Sequence, residues 1–195
     1  MHTAILTFDG YNELDSLIAL GILNRVKRPG WRVSIASPSA QVTSMNGVCI
    51  QRHIDLQEAC AADAVLVGSG MLTRDVVADD SVLAQLQLDP ARQLIGAQCS
   101  GALILAKLGL LENIPACTDL TTKPWVEEAG VSVLDQAFYS TGNIATAGGC
   151  LASQYLAAWL IARSEGEQAA REAIHYVAPV GEKDIYVERA ITNIC

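Results

Sequence analysis

The sequence predicts an α/β fold: a mostly parallel β-sheet with helices on both faces and a cysteine nucleophile elbow. Three observations carry that expectation. Short apolar runs of strand length alternate along the chain with segments of helical apolar spacing, the pattern of βαβ units. Glycine and small polar residues follow several of the runs, where a strand must hand over to a loop or helix. In Leu94-Ile95-Gly96-Ala97-Gln98-Cys99-Ser100-Gly101-Ala102-Leu103, a strand pattern becomes a helix pattern with a thiol at the junction.

Taken in order, residues 3–8 form a buried first strand, and Asp9-Gly10-Tyr11-Asn12 supply a turn. From Glu13, the positions Leu14, Leu17, Ile18, Gly21, Ile22 and Val26 keep helical spacing until Pro29-Gly30. Residues 31–36 form the second strand, Met45-Asn46-Gly47 a hairpin-type turn, and residues 54–61 a short helix. Ala64-Val65-Leu66-Val67 is a buried strand ending in Gly68-Ser69-Gly70, with a helical pattern over 82–88. The strand at 94–97 leads into a helix at 100–108, followed by a helix at 125–129 and a strand at 131–134. Residues 138–146 read as a hairpin around Gly142-Asn143. Gly148-Gly149 then opens a second elbow-like junction into a helix at 151–162, and an amphipathic helix at 165–176 comes last.

Composition narrows the function. A chain of 195 residues with 51% hydrophobic residues is expected to form one domain, 1–195, with a substantial core. A net charge of −8 argues against a nucleic-acid partner, because phosphate binding needs clustered Lys and Arg. The longest apolar stretches are too short to span a bilayer, so no membrane role is expected. Cys49, Cys60, Cys99, Cys117, Cys150 and Cys195 are scattered without a Cys-x-x-Cys pair, which supports neither a zinc site nor a disulfide scaffold. A reduced, cytoplasmic protein without bound metal is the economical expectation. The glycine loop lacks a third glycine at position 73, and no Gly-Lys-Ser/Thr occurs, so no nucleotide cofactor is expected.

The first turn of a helix has unpaired N–H groups and a positive dipole end, and both favour thiolate over thiol at Cys99. The junction resembles the Gly-x-Ser-x-Gly elbow with cysteine for serine, although the upstream glycine, Gly96, stands one position early. Ligands of open α/β sheets bind beyond the carboxyl ends of the strands, so Asp15, Gly70 and Cys99 are expected to converge. Asp15 either complements the helix dipole or serves as a proton donor facing the sulfur. Glu13 lies about 200° around the same helix and cannot share that pocket. The N–H groups of the Gly68–Gly70 loop and of Ser100 are candidates for an oxyanion hole; otherwise the loop is only a tight connection. Ser100 caps the helix, or its hydroxyl orients a water or substrate. Cys150, after Gly148-Gly149, is a structural cysteine, or it resolves an oxidised Cys99. His2, His53 and His175 are not placed to supply a Cys–His dyad.

The chain resembles the ThiJ/PfpI superfamily, the glutamine-amidotransferase-like group that includes the Parkinson-disease-associated deglycase. The resemblance runs through Phe8-Asp9-Gly10-Tyr11-Asn12-Glu13-Leu14-Asp15, Val67-Gly68-Ser69-Gly70, Cys99-Ser100-Gly101, Ala106-Lys107-Leu108-Gly109-Leu110-Leu111 and Gly142-Asn143-Ile144-Ala145-Thr146-Ala147-Gly148-Gly149. It implies a flavodoxin-like three-layer sandwich and a homodimer. Within the superfamily the chain is most similar to the isocyanide hydratase branch, with Asp15 at its aspartate, Cys99 at its nucleophile and Ser100 at its elbow threonine. That similarity implies a cysteine-dependent hydratase, a lyase turning an isocyanide into an N-formamide, with catalytic Cys99, Asp15 and Ser100. Gly70, Gly149 and Cys150 are then expected to line the oxyanion hole and the pocket for a small electrophilic substrate. Two alternatives accompany this reading: glyoxalase- or deglycase-like action on α-oxoaldehydes, and a non-enzymatic redox sensor or ligand-binding module. The chain departs from relatives at Gln98, at Gly68-Ser69-Gly70, and at Ala116-Cys117-Thr118-Asp119, where many carry a histidine. Ser100 stands where the peptidase branch has histidine, so proteolysis is not expected.

Overall fold

A computed structural model describes all 195 residues as a three-layer α/β sandwich. The strands of its main sheet are β1 (His2–Leu6), β2 (Arg32–Ala36), β5 (Ala64–Val67), β6 (Leu94–Gln98), β7 (Phe138–Thr141) and β8 (Ile144–Ala147). They run in the order β2-β1-β5-β6-β8-β7, all parallel except the final hairpin pair. A separate two-stranded ribbon, β3 (Gln41–Thr43) with β4 (Cys49–Gln51), is antiparallel about the expected turn at Met45-Asn46-Gly47.

Strand periodicity divides the core into two layers. In β1, Ile5 joins one apolar cluster while Ala4 and Leu6 join the other; in β5, Leu66 opposes Val65 and Val67 in the same way. The first cluster lies under helices α1 (Glu13–Leu23), α7 (Ser153–Glu165), α8 (Glu167–Val177) and α9 (Lys183–Ile194). The second lies under α2 (Leu56–Cys60), α5 (Gly101–Lys107) and α6 (Lys123–Glu128). Helix α7 is the central one: Tyr155 to Ile161 are all buried, including Trp159. Gly96 on β6 makes room for it, because a Cβ there would stand 2.5 Å from Leu66 and 3.1 Å from Leu156.

Four segments differ from the sequence expectation. Residues 131–134 form no strand; Val133 makes only an isolated bridge with Ala116, and the run serves as a connection of which Val131 alone is buried. The helical stretch expected over 82–88 is instead α4 (Asp80–Leu83), where Asp79 caps the N-terminus by accepting from Ser81 and Val82 N–H. Before it lies α3 (Thr73–Ala78), which has no side-chain cap. After α8 the chain turns through Pro179 and Gly181 into α9, whose Val187, Ala190 and Ile191 complete the first cluster. No helix is long and apolar enough to cross a membrane.

Candidate active site

The parallel order brings the C-terminal ends of β1, β5 and β6 side by side, and the loops leaving them form the site. Close backbone approach holds these loops together. A Cβ on Gly70 would stand 2.6 Å from the Gly10 carbonyl oxygen, and one on Gly101 2.5 Å from that of Val67. Any side chain at either position would push the loops apart.

Between β6 and α5 only Cys99 and Ser100 make the turn, and Cys99 adopts φ +45°. A non-glycine residue in this left-handed region costs about 1–3 kcal/mol. Two bonds offset that cost: Cys99 N–H donates to the Ala147 carbonyl at 2.8 Å, and Thr118 Oγ1 donates to the Cys99 carbonyl at 2.8 Å. The result is an elbow with Cys99 buried at 3% exposure.

Asp15 comes to the sulfur from α1. Asn12 caps that helix by accepting Leu14 N–H at 3.1 Å, and the first turn delivers Asp15 inward, 2% exposed. Glu13 points elsewhere, to Ser44 and Asn46 of the ribbon turn. The second elbow contributes Cys150, at the start of a 3-10 turn (Cys150–Ala152) that follows Gly149 at φ +88°. A carboxylate oxygen of Asp15, Cys99 Sγ and Cys150 Sγ all lie within 4.8 Å of one another. Three separate segments thus place two thiols and a carboxyl group in one small volume.

Hydrogen bonds fix these groups. Ser69 Oγ donates to Asp15 Oδ2, while Asp15 Oδ1 is buried with no partner. Gln98 Nε2 donates to Cys99 Sγ at 3.4 Å and to the Gly149 carbonyl at 2.8 Å, tying the two elbows together. Asn12 Nδ2 donates to Cys150 Sγ at 3.1 Å.

Electrostatics follow from burial. Desolvation raises Asp15 from 3.8 to about 6, opposed first by the hydrogen bond from Ser69 and then by the two neighbouring thiols. Cys99 also moves upward, through burial first and then the nearby Asp15 charge. The expectation that the elbow favours thiolate is therefore reversed: burial and a neighbouring carboxylate outweigh the end of a helix only seven residues long. Cys150 shifts upward for the same two reasons, with Asn12 opposing. The resting site holds neutral thiols beside a carboxyl group able to change its protonation state near neutrality.

The remaining candidates have more specific positions than the sequence suggested. Gly68 N–H donates to the Leu6 carbonyl at 3.0 Å and Gly70 N–H to Ser100 Oγ at 3.1 Å, so two of the expected oxyanion donors are engaged, while the N–H groups of Ser69 and Ser100 donate to no protein acceptor. Ser100 Oγ also lies 2.7 Å from Thr73 Oγ1, and its bonds lock the elbow to the Gly70 loop rather than to Asp15. Gly149 offers its carbonyl to Gln98. The histidines have other partners or positions: His2 Nε2 lies 3.0 Å from Ser34 Oγ, His53 Nδ1 accepts from Ile35 N–H, and His175 is exposed on α8.

The fold is matched by known proteins. The DJ-1/PfpI family model matches residues 1–163. The chain belongs to the DJ-1/PfpI family. Among solved structures, DJ-1 from Schizosaccharomyces pombe is similar at TM-score 0.79 and 17% identity, covering 92% of this chain and all of that one. A ThiJ/PfpI family protein from Pseudomonas syringae gives TM-score 0.81 at 19% identity, covering 99% of this chain and 87% of the other. A DJ-1 superfamily protein from Salmonella typhimurium gives 0.78 at 24% identity, with 90% and 97% covered. These likenesses show the fold. No curated protein matches the chain significantly.

Sequence reasoning passed over three side chains that shape the site: Ser69, Asn12 and Gln98. Asn12 carried a readable signal as a helix cap three residues before an aspartate. Ser69 and Gln98 become site residues only through tertiary contact.

Proposed function

We propose that the protein is a cysteine-dependent hydratase of small electrophiles, converting an isocyanide to an N-formamide. The observation that carries this reading is the buried Asp15 carboxyl group beside Cys99, with one oxygen unpartnered and with no histidine sharing the site. As Cys99 Sγ attacks the terminal carbon, Asp15 accepts the thiol proton and passes it to that carbon, leaving an S-linked thioimidate. Water then adds to the same carbon, and Asp15 relays its proton to the nitrogen. The C–S bond breaks, the sulfur regains a proton, and the formamide leaves.

Two features favour this chemistry over acyl transfer. Peptide or ester cleavage builds an oxyanion that needs several aimed N–H donors. Here the N–H groups of Gly68 and Gly70 are engaged elsewhere, which leaves only those of Ser69 and Ser100 from the expected set. Addition to an isocyanide develops no oxyanion in its first step, and it uses a proton carrier of the kind Asp15 supplies. The close packing around the sulfur also favours a small, linear substrate.

The test is formamide production, followed by NMR, from a panel of alkyl and aryl isocyanides with fully reduced protein. Turnover is expected to vanish in Cys99→Ala and Asp15→Asn. No product from any isocyanide overturns the proposal, and loss of methylglyoxal under the same conditions would move the assignment to α-oxoaldehyde chemistry.

A further inference from the structure

The hydration reading uses one sulfur and leaves Cys150 without a task. Yet Cys150 is built into the site. Its Sγ lies within 4.8 Å of both Cys99 Sγ and an Asp15 oxygen, and it accepts a hydrogen bond from Asn12 Nδ2 at 3.1 Å. The bond from Gln98 to the Gly149 carbonyl holds the residue before Cys150 against the first elbow. Of the two thiols, Cys99 is buried and Cys150 half-buried, so one is sheltered and the other can be approached from outside. Cys117, Cys60, Cys49 and Cys195 do not join this group.

We propose that Cys99 and Cys150 form a reversible dithiol–disulfide couple, in which a peroxide oxidises Cys99 and Cys150 captures the product as an intramolecular disulfide. This goes beyond the hydration reading and does not depend on it.

The chemistry balances with one peroxide and the groups present. Cys99 Sγ attacks the peroxide oxygen while Asp15 takes the thiol proton. The S–O bond forms and the O–O bond breaks, and the departing alkoxide or hydroxide recovers that proton from Asp15. Cys99 is left as a sulfenic acid. Cys150 Sγ, donating its proton to Asp15, then attacks Cys99 Sγ. The S–S bond forms, the S–O bond breaks, and the hydroxide leaves as water with the proton from Asp15. Two thiols have lost two electrons and the peroxide has gained them. The Asn12 hydrogen bond supports the developing charge on Cys150 Sγ, and closing the sulfurs to about 2.05 Å is local to the two elbows. An external thiol or dithiol reverses the couple by attacking the more accessible Cys150 sulfur and releasing Cys99. The disulfide withdraws the Cys99 nucleophile, so it would also silence any Cys99-dependent activity until reduction.

The experiment treats reduced full-length protein with equimolar hydrogen peroxide, quenches free thiols, and maps peptides by mass spectrometry without reduction. The expected result is a loss of about 2 Da, a linked Cys99–Cys150 peptide, and full recovery with dithiothreitol. In Cys150→Ser, Cys99 is expected to become reactive toward dimedone and then to gain about 32 Da as sulfinate. The proposal is overturned if wild-type Cys99 passes to sulfinate as readily as in Cys150→Ser, or if the linkage joins other cysteines. The wild-type map decides the matter even should Cys150→Ser fold poorly. Because the readout is a mass and needs no substrate, absence of isocyanide turnover with disulfide present defeats only the hydration reading.

Discussion

Gln98 Nε2 spans the gap between the two elbows, donating 2.8 Å to the Gly149 carbonyl while lying 3.4 Å from Cys99 Sγ. Its Oε1 is buried without a partner. The amide therefore serves the site more than the fold. Gln98→Leu, of similar size, is expected to change stability by no more than about 1 kcal/mol, since the lost bond and the lost orphan oxygen oppose each other. Turnover is expected to fall about tenfold, roughly the effect of one positioning hydrogen bond. Thermal melting and a Cys99-dependent rate, measured side by side, check both halves.

Asp15 should burden the fold above its own titration. Its folded pKa of about 6 lies above the ordinary 3.8, so between those values the folded protein retains a proton the unfolded chain has released. Stability is then greatest below about pH 4 as far as this group is concerned, and it falls as pH rises through 6. At about 1.4 kcal/mol per pH unit, the gap amounts to about 3 kcal/mol. Asp15→Asn should recover much of that at pH 8, flatten the pH dependence between 4 and 6, and abolish turnover. Urea unfolding at several pH values reads the first two outcomes.

The Ser69 hydroxyl donates to Asp15 and so favours its ionised form. Without it, the carboxyl pKa should rise further. In Ser69→Ala, the acid limb of the rate profile is expected to move to higher pH than in the wild type. Activity at pH 6 then drops more than at pH 8. A uniform loss across pH would show that Ser69 only shapes the pocket.

Gly101 sits where the elbow helix meets the end of β5. A Cβ there would stand 2.5 Å from the Val67 carbonyl oxygen and 3.0 Å from that of Gly68. Both are backbone atoms that cannot swing aside. Gly101→Ala is expected to cost about 1–3 kcal/mol by overpacking, measured as a lower urea midpoint with unchanged slope. Gly109→Ala is a useful contrast, since its Cβ would meet nothing within 4 Å and only its φ of +74° opposes the change.

Much of this molecule was legible in the sequence because its physics is local. The parallel strands at Ala64–Val67 and Leu94–Gln98 are buried on both faces and read as plain apolar runs. The elbow was visible as a thiol between two such patterns. Residues 131–134 failed because an apolar run can fill a core without pairing; only Val133 finds a bridge. Helix α9 was hidden behind Pro179 and Gly181, which normally announce an end; here they mark a corner between packed helices. The protonation of Cys99 was misread because helix termini are local and visible, whereas desolvation depends on α1 and the second elbow folding over the sulfur. The same distance in sequence concealed Ser69 and Gln98 as partners of Asp15 and Gly149.

Cys99 presents 3% of its surface to solvent, beneath α1 and the second elbow, two stretches far from it in the chain. Its sulfur can therefore serve as an internal gauge of breathing. A bulky aromatic disulfide should label it only when the loops over the sheet separate, so that the labelling rate reports the free energy of that opening. A molecule as small as peroxide is expected to need a smaller opening. The ratio of the two rates becomes a sieve curve for the site, obtained without any knowledge of its natural ligand.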